Sequence, residues 1–212
     1  MMFEKILNSE SAVMRFLGKI ADLVWLNILT MICCLPVITA GASMCAMYSV
    51  ALKIRRNEEG SIHRDFFRAF KENIMQATLL WGMILAAIAV PVADIALMYY
   101  GIIPAGNIIK GIMAAVALLI VLGTAFVFPL LSHFYNTPAN TIRNSFMLAL
   151  SRPHIALAMV LVYTIVPLLA YHFVQALPAV FFFSLAFPGY LGVCMYDGIF
   201  NILEENAPQT GE

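Results

Sequence analysis

The feature that most constrains this chain is a series of long apolar runs that carry almost no charge. Four of them are Ala77–Tyr100, Ile108–Leu131, Ile155–Tyr171 and Ala179–Tyr196. The first contains one carboxylate, Asp94, the second contains one amine, Lys110, and the other two contain no acidic or basic side chain. A helix needs about 20 mostly apolar residues to cross a bilayer, within a range of about 17–25. Each run therefore predicts a membrane-spanning helix.

The composition agrees with a chain whose solvent is lipid. Apolar residues make up 62% of the sequence and charged residues 11%, whereas soluble domains average about 45–50% and about 25%. A soluble protein of this composition would expose large apolar patches, which soluble monomers avoid. We predict an integral membrane protein whose main partner is the lipid bilayer, with no nucleic-acid partner.

The first apolar run is longer than one span requires. Leu23–Leu52 has 30 residues and no charge, which is about 45 Å as one helix, against a hydrocarbon core of about 30 Å. Pro36 lacks an amide hydrogen, and Gly41 tolerates backbone angles that other residues avoid. The run is therefore either one long kinked span or a tight hairpin that crosses twice.

The basic residues favour the hairpin. Three precede this run and six follow it in the linker 53–71, and cytoplasmic flanks carry the excess of Lys and Arg. With both flanks cytoplasmic, an even number of crossings separates them. We predict an all-α bundle forming a single integral membrane domain, 1–212, in the cell membrane with both termini cytoplasmic. Its six spans are 13–35, 40–53, 75–100, 108–132, 155–172 and 178–200. Five spans with the N-terminus outside is the alternative.

Two linkers between the spans have the pattern of amphipathic helices. In Ser61–Ile74 the basic and acidic residues lie mostly opposite one apolar arc, which consists of Ile62, Phe66, Phe67, Phe70 and Ile74. In the second linker, Thr137-Pro138 is a favourable helix start, and an apolar residue recurs every fourth position at Ile142, Phe146 and Leu150. Helices of this kind lie in the headgroup region, so we predict cytoplasmic interfacial helices here.

Several of these residues together resemble a known family. They are Asn27, the run Leu35-Pro36-Val37-Ile38-Thr39-Ala40-Gly41, the linker motif Asp65-Phe66-Phe67 and the pair Arg152-Pro153. This pattern is similar to that of the YesL family of bacterial membrane proteins, a domain of unknown function. The resemblance covers nearly the whole chain. It implies a multispan protein of the bacterial cell membrane associated with carbohydrate uptake and its sensing, and it supplies no catalytic residues.

The sequence shows no catalytic, cofactor-binding or metal-binding motif. No His-Glu-x-x-His helix, phosphate-binding glycine loop or nucleophile elbow occurs, and the four histidines are isolated from one another. We therefore predict neither enzymatic activity nor a cofactor or metal. The candidates for a structural or binding role are polar, ionisable or helix-breaking residues within apolar runs, namely Asn27, Pro36, Thr39, Gly41 and Asp94. Ionisable residues inside a membrane are functional candidates by default.

Two functional classes agree with this pattern. The first is a non-catalytic accessory or regulatory protein, belonging to a membrane transport or sensing complex for carbohydrate uptake. The second is a small solute transporter or channel that uses its proline-kinked helices, as transporters with broken helices do. A polar lining past Asn27, Thr30 and Thr39 would favour the second class.

Overall fold

The computed structural model describes residues 2–58, 60–100, 106–134, 136–172 and 183–205, and within them the chain is all-α without a strand. Its helices are α1 (Met2–Cys34), α2 (Ala40–Arg56), α3 (Ile62–Tyr99), α4 (Asn107–Thr124), α5 (Val127–His133), α6 (Pro138–Ser151), α7 (Pro153–His172) and α8 (Ala186–Glu205). The predicted fold class is confirmed at this level.

A break separates α1 from α2 where Pro36 and Gly41 predicted one. Pro36 has an extended backbone, and a single 3₁₀ turn, Val37–Thr39, leads into α2. The two helices then run back along each other, since the Ser43 hydroxyl donates to the carbonyl of Thr30 at 3.2 Å. The first apolar run is therefore a helical hairpin and not one continuous helix.

Of the four helical stretches that are long and apolar enough to cross a membrane, the one that contains α2 is the most buried. The helix α2 packs on α1, α3, α5 and α8. Its first half contains the small residues Gly41, Ala42, Cys45 and Ala46, which are all buried. A Cβ added to Gly41 would lie 2.6 Å from the Ala77 carbonyl oxygen and from the Trp81 Cβ. Glycine is thus required here because the two helices approach too closely for any side chain.

The structure differs from the prediction in the first linker, because Ser61–Ile74 does not contain a separate helix. The helix that begins at Ile62 continues without interruption to Tyr99. No glycine or proline occurs between Ile62 and Trp81, so nothing in the backbone ends the helix there. The predicted span 75–100 is accordingly the second part of α3, and Pro91 lies inside it.

The predicted span 108–132 consists of α4 and α5, which meet at Ala125-Phe126. The second predicted linker is helical as α6, and Thr137 caps it by accepting a hydrogen bond from the Asn140 amide. The chain then turns by 103° into α7, which covers the predicted span 155–172. Of the last predicted span, 178–200, residues 178–182 lie outside the described part of the chain, and the rest belongs mostly to α8.

Within the described residues, four helical stretches are long and apolar enough to cross a membrane: Phe16–Cys34, Val37–Arg56, Ile62–Tyr99 and Asn107–His133. The bent pair formed by α6 and the first part of α7 raises the count to five if it acts as one span. The chain is thus membrane-embedded by length and composition. The count of six spans stays a prediction.

Candidate functional site

The most polar meeting point of helices lies at the C-terminal end of α2, and we call it the polar junction. It comprises Lys53 and Arg56 of α2 with their partners on neighbouring helices. The Lys53 ammonium lies 3.0 Å from the Asp65 carboxylate of α3. The Arg56 guanidinium lies 3.1 Å from the Asp197 carboxylate and 2.7 Å from the Asn201 side-chain oxygen, both on α8. Two ion pairs therefore join α2 to α3 and to α8.

A cavity of about 150 Å³ opens at the polar junction. Its lining contains two hydroxyls, two cationic side chains, a carboxylate and an imidazole, from Ser49, Lys53, Arg56, Glu58, Ser132 and His133. A smaller cavity of about 60 Å³ shares Ser49, Ser132 and His133 and reaches Glu72 and Asn73 of α3. The His133 ring stacks on Phe200 with ring centroids 5.5 Å apart, so α5 is also held to α8.

The chemistry available at the polar junction is hydrogen bonding, not strong anion binding. Lys53 and Arg56 each face a carboxylate already, and Glu58 adds another negative charge. The Ser132 hydroxyl donates to the Pro129 carbonyl at 2.8 Å, within its own helix. These contacts hold the ends of the helices together, and the cavity beside them has space for a small polar group.

The sequence reasoning missed the polar junction because its residues come from four separate segments. A signal was present, however. Arg56, His133 and Asp197 each lie at the end of an apolar run that the charge pattern places on one side of the membrane. Helix ends on the same side of a bundle meet, so these flanking residues were candidates for contact with one another.

Asn27 is fully buried and holds the start of α8. Its side-chain oxygen accepts hydrogen bonds from the amides of Leu185 at 2.8 Å and Ala186 at 2.9 Å. The first amides of a helix lack partners within the helix, so Asn27 satisfies two of them from another helix. Thr30 is also fully buried and donates to the Leu26 carbonyl at 2.7 Å. Neither residue is accessible to solvent, so the polar lining past Asn27, Thr30 and Thr39 that would favour a transporter does not form at these two positions.

The break residues act on the backbone around them. The Thr39 hydroxyl supplies a local bond, lying 2.9 Å from the Pro36 carbonyl and 2.8 Å from the Cys33 carbonyl. Trp81 of α3 donates its indole N–H to the Val37 carbonyl at 2.9 Å. Pro36 itself is exposed. Together with the close approach at Gly41, these contacts fix the hairpin tip against the middle of α3.

Asp94 is separate from all of these residues. It is half-buried in the last part of α3, and within the described residues no ion pair joins it to Lys110. The structure therefore brings Pro36, Thr39 and Gly41 together at the tip of the hairpin. Asn27 lies further from the tip, in α1, and Asp94 lies apart from all four. A functional role for these five residues stays a prediction.

The predicted interfacial arc divides into two parts. Ile62 and Phe66 are buried within the bundle, in the stripe that α3 turns towards α2, and Phe66 stacks on the half-buried Phe70. Phe67 and Ile74 remain exposed, at 43% and 36%. Packing between helices thus accounts for Ile62 and Phe66 of the arc but not for Phe67 and Ile74.

Three tyrosines, of which Tyr48 and Tyr196 are buried and Tyr163 is half-buried, form a polar group that the sequence did not reveal. The hydroxyls of Tyr48 and Tyr163 lie 3.0 Å apart, and Tyr163 also lies 3.4 Å from the Leu185 carbonyl. The Tyr196 ring is 6.4 Å from that of Tyr48, and its buried hydroxyl has no hydrogen-bond partner in the described part of the chain. These tyrosines join α2, α7 and α8 at the centre of the bundle.

Residues 23–95 match a family model described as "Protein of unknown function, DUF624". The match covers 73 of the 212 residues and includes the last part of α1, all of α2 and most of α3. No curated protein and no solved structure matches the chain. A family of unknown function agrees with the resemblance drawn from the sequence, and the narrower likeness to the YesL family stays a prediction.

Proposed function

We propose that this protein is a non-catalytic accessory or regulatory component of a bacterial cell-membrane system for carbohydrate uptake. A non-transporting role is supported by the hydrogen bonds that its buried polar side chains already make within the protein. Asn27, Ser43 and Ser145 each bond to the backbone of another helix, and Tyr48 bonds to Tyr163. A transporter site needs polar groups that converge on its solute, and these groups already have partners. The link to carbohydrate rests on the family resemblance alone.

The surface proposed to meet the partner is the exposed basic stripe of α3. Arg64, Arg68 and Lys71 recur at helical spacing on its solvent-facing side, opposite the buried Ile62 and Phe66. Arg68 is paired with Glu72 at 3.0 Å, which leaves the stripe with a net positive charge. Such a stripe fits an acidic surface on a membrane protein complex.

The proposal is tested by charge reversal on the full-length tagged protein in its native membrane. Arg64, Arg68 and Lys71 are changed together to Glu, the membranes are solubilised in mild detergent, and the co-purifying proteins are quantified. We expect a subunit of a carbohydrate-uptake system to be recovered with the native chain and reduced at least tenfold with the triple variant. The matched control is Lys110→Glu, at the opposite end of the bundle, which should retain that subunit.

The transporter alternative is tested separately in proteoliposomes that contain the purified chain. We expect the flux of labelled sugars to equal that of empty vesicles. Saturable flux that is lost when Asn27 or Thr39 is replaced would contradict the accessory role. An identical set of captured proteins for the native, triple-variant and control chains would contradict the role of the basic stripe.

A further inference from the structure

This protein has two helical hairpins: the α1–α2 hairpin, and an upper hairpin formed by the last part of α3 and by α4. They reach different levels along the axis of α3. The tip of the α1–α2 hairpin is fixed beside Trp81, because the Trp81 indole donates to the Val37 carbonyl and Gly41 packs against Ala77. Beyond Trp81, α3 continues for 18 more residues to Tyr99, which is about 27 Å. There it runs beside α4. One bilayer with a core of about 30 Å therefore cannot be crossed completely by both hairpins.

Charge decides which hairpin crosses. At the other end of the α1–α2 hairpin, Lys53 pairs with Asp65 of α3. From just before that level and on towards the hairpin tip, α3 exposes a row of charged side chains, namely Arg64, Arg68, Lys71 and Glu72. A charge at the bilayer centre costs about 2.5–3.5 kcal/mol on insertion scales. A core that enclosed the whole α1–α2 hairpin would also enclose these four charges.

The upper part of α3 has the opposite character. Its exposed side chains from Met75 to Ile95 are apolar. Its one charge is the half-buried Asp94, about 8 Å before the end of the helix. Exposed tyrosines, Tyr99 and Tyr100, lie at that end, where aromatic belts meet the headgroups. Met75 to Tyr99 measures about 36 Å as a helix, enough for the core with a modest tilt. Trp81 then lies only about 9 Å above Met75.

We infer that the α1–α2 hairpin does not cross the bilayer. It enters the leaflet on the basic side as a wedge and stops there, with its tip in contact with lipid acyl chains. The exposed fractions of the tip residues suit that partner: Leu35 is 79% exposed, Val37 65% and Ile38 70%. A hairpin that crossed completely would place these three apolar side chains in water on the far side.

The backbone carbonyls at the tip have hydrogen-bond partners within the protein, as a position without water requires. Polypeptide that is not helical is tolerated at membrane depth only where its polar groups find partners in the protein. The carbonyls of Cys33 and Pro36 lie within hydrogen-bonding distance of the Thr39 hydroxyl, and the carbonyl of Val37 accepts from Trp81. A water-exposed turn would not need these side-chain partners.

Spin labels on single cysteines test the wedge. Cys33, Cys34, Cys45 and Cys194 are replaced by Ala, and Val37→Cys, Ser61→Cys and Tyr100→Cys are introduced one at a time in the full chain, which is then placed in lipid vesicles. Collision of each label with oxygen and with a water-soluble nickel chelate is measured. We expect the label at 37 to be at least tenfold less accessible to nickel than those at 61 and 100. Nickel accessibility at 37 equal to that at 100 would overturn the wedge.

A second measurement needs no change in the cysteines. Trp25 and Trp81 are the two tryptophans of the chain, so Trp25→Phe leaves Trp81, which reports the position of the tip. We expect the Trp81 fluorescence to be quenched by lipids brominated on their acyl chains and to be insensitive to iodide on either side of the vesicle. Quenching by iodide added to the side opposite the basic residues would show a full crossing and overturn the inference.

Discussion

The helix α2 and the upper hairpin, formed by the last part of α3 and by α4, both contain a long apolar stretch and have opposite surroundings. Residues 40–52 of α2 carry no charge, ahead of the basic residues in its last turn, and the upper hairpin carries Asp94 and Lys110. In α2 61% of the residues in the apolar stretch are buried by other helices, whereas the figure is 17% for α3 and 22% for the stretch that contains α4. The first is the centre of a protein core, and the second presents most of its surface to the surroundings.

The difference shows that hydropathy measures the exclusion of water and does not tell whether protein or lipid excludes it. The size of the side chains adds information only together with the contacts. In α2 the small residues Gly41, Ala42, Cys45 and Ala46 are buried, and small residues permit close backbone approach. In the upper hairpin small residues such as Gly111 are exposed alongside large ones. Small side chains therefore permit close helix contact but do not by themselves indicate it.

The largest expected effect that tests this contrast comes from glycine. Gly41→Leu forces a side chain against the Ala77 carbonyl and the Trp81 Cβ, and backbone atoms of this kind cannot rotate away. We expect a loss of more than about 3 kcal/mol, above the usual overpacking range, and little monodisperse protein in detergent. Gly111→Leu in α4 is the matched control, since nothing lies within 4 Å of a Cβ at that position. An equal loss in both variants would contradict the assignment of α2 to a core.

Phenylalanine gives the next largest effect. Phe66 is fully buried and the adjacent Phe67 is 43% exposed, so the same truncation probes two surroundings one residue apart. Phe66→Ala should destabilise the protein by about 3–5 kcal/mol, the range for large aromatic truncations in cores, and Phe67→Ala by less than about 1 kcal/mol. Thermal unfolding in detergent measures both. A larger loss at Phe67 would restore the predicted interfacial helix, in which lipid contact is the main role of the arc.

Much of the architecture was predictable because it follows from local rules. The charge-free runs predicted the apolar helices, Pro36 and Gly41 predicted the break, and Thr137-Pro138 predicted the start of α6. Each of these signals lies within a few residues of the structure that it determines.

The parts that were not predicted depend on contacts between distant segments. The arc around Phe66 has the pattern of an interfacial helix and equally that of a helix packed on α2, and periodicity alone cannot separate them. The polar junction depends on Arg56 meeting Asp197, which lies 141 residues further along the chain. The cap that Asn27 provides for α8 also depends on tertiary structure, since no local pattern links the two.

The ion pairs of the polar junction give a smaller effect. Asp197→Ala leaves the half-buried Arg56 guanidinium without that carboxylate, although Asn201 still accepts one of its hydrogen bonds. We expect a loss of about 1–3 kcal/mol, between the values for exposed and for buried pairs. Glu72→Ala breaks the exposed pair with Arg68 and should cost less than about 0.5 kcal/mol. If both variants unfold at the same temperature, the polar junction does not fasten α8 to α2.

A small effect is also expected at Pro36, although this residue is the most conspicuous one in the first apolar run. Its side chain is exposed and its φ of −74° is one that other residues also adopt. Three contacts hold the break without it: the Thr39 hydroxyl near the Cys33 and Pro36 carbonyls, the Trp81 bond to Val37, and the close packing at Gly41. Pro36→Ala should therefore cost less than about 1 kcal/mol, chiefly by freeing the unfolded chain, and should leave the hairpin intact. Replacing Pro36 and Gly41 together by Ala should cost far more, because the added Cβ at position 41 would clash with Ala77 and Trp81. A single Pro36→Ala change that joined α1 and α2 into one helix, detected as an increased distance between spin labels near positions 30 and 43, would show that proline and not packing determines the break.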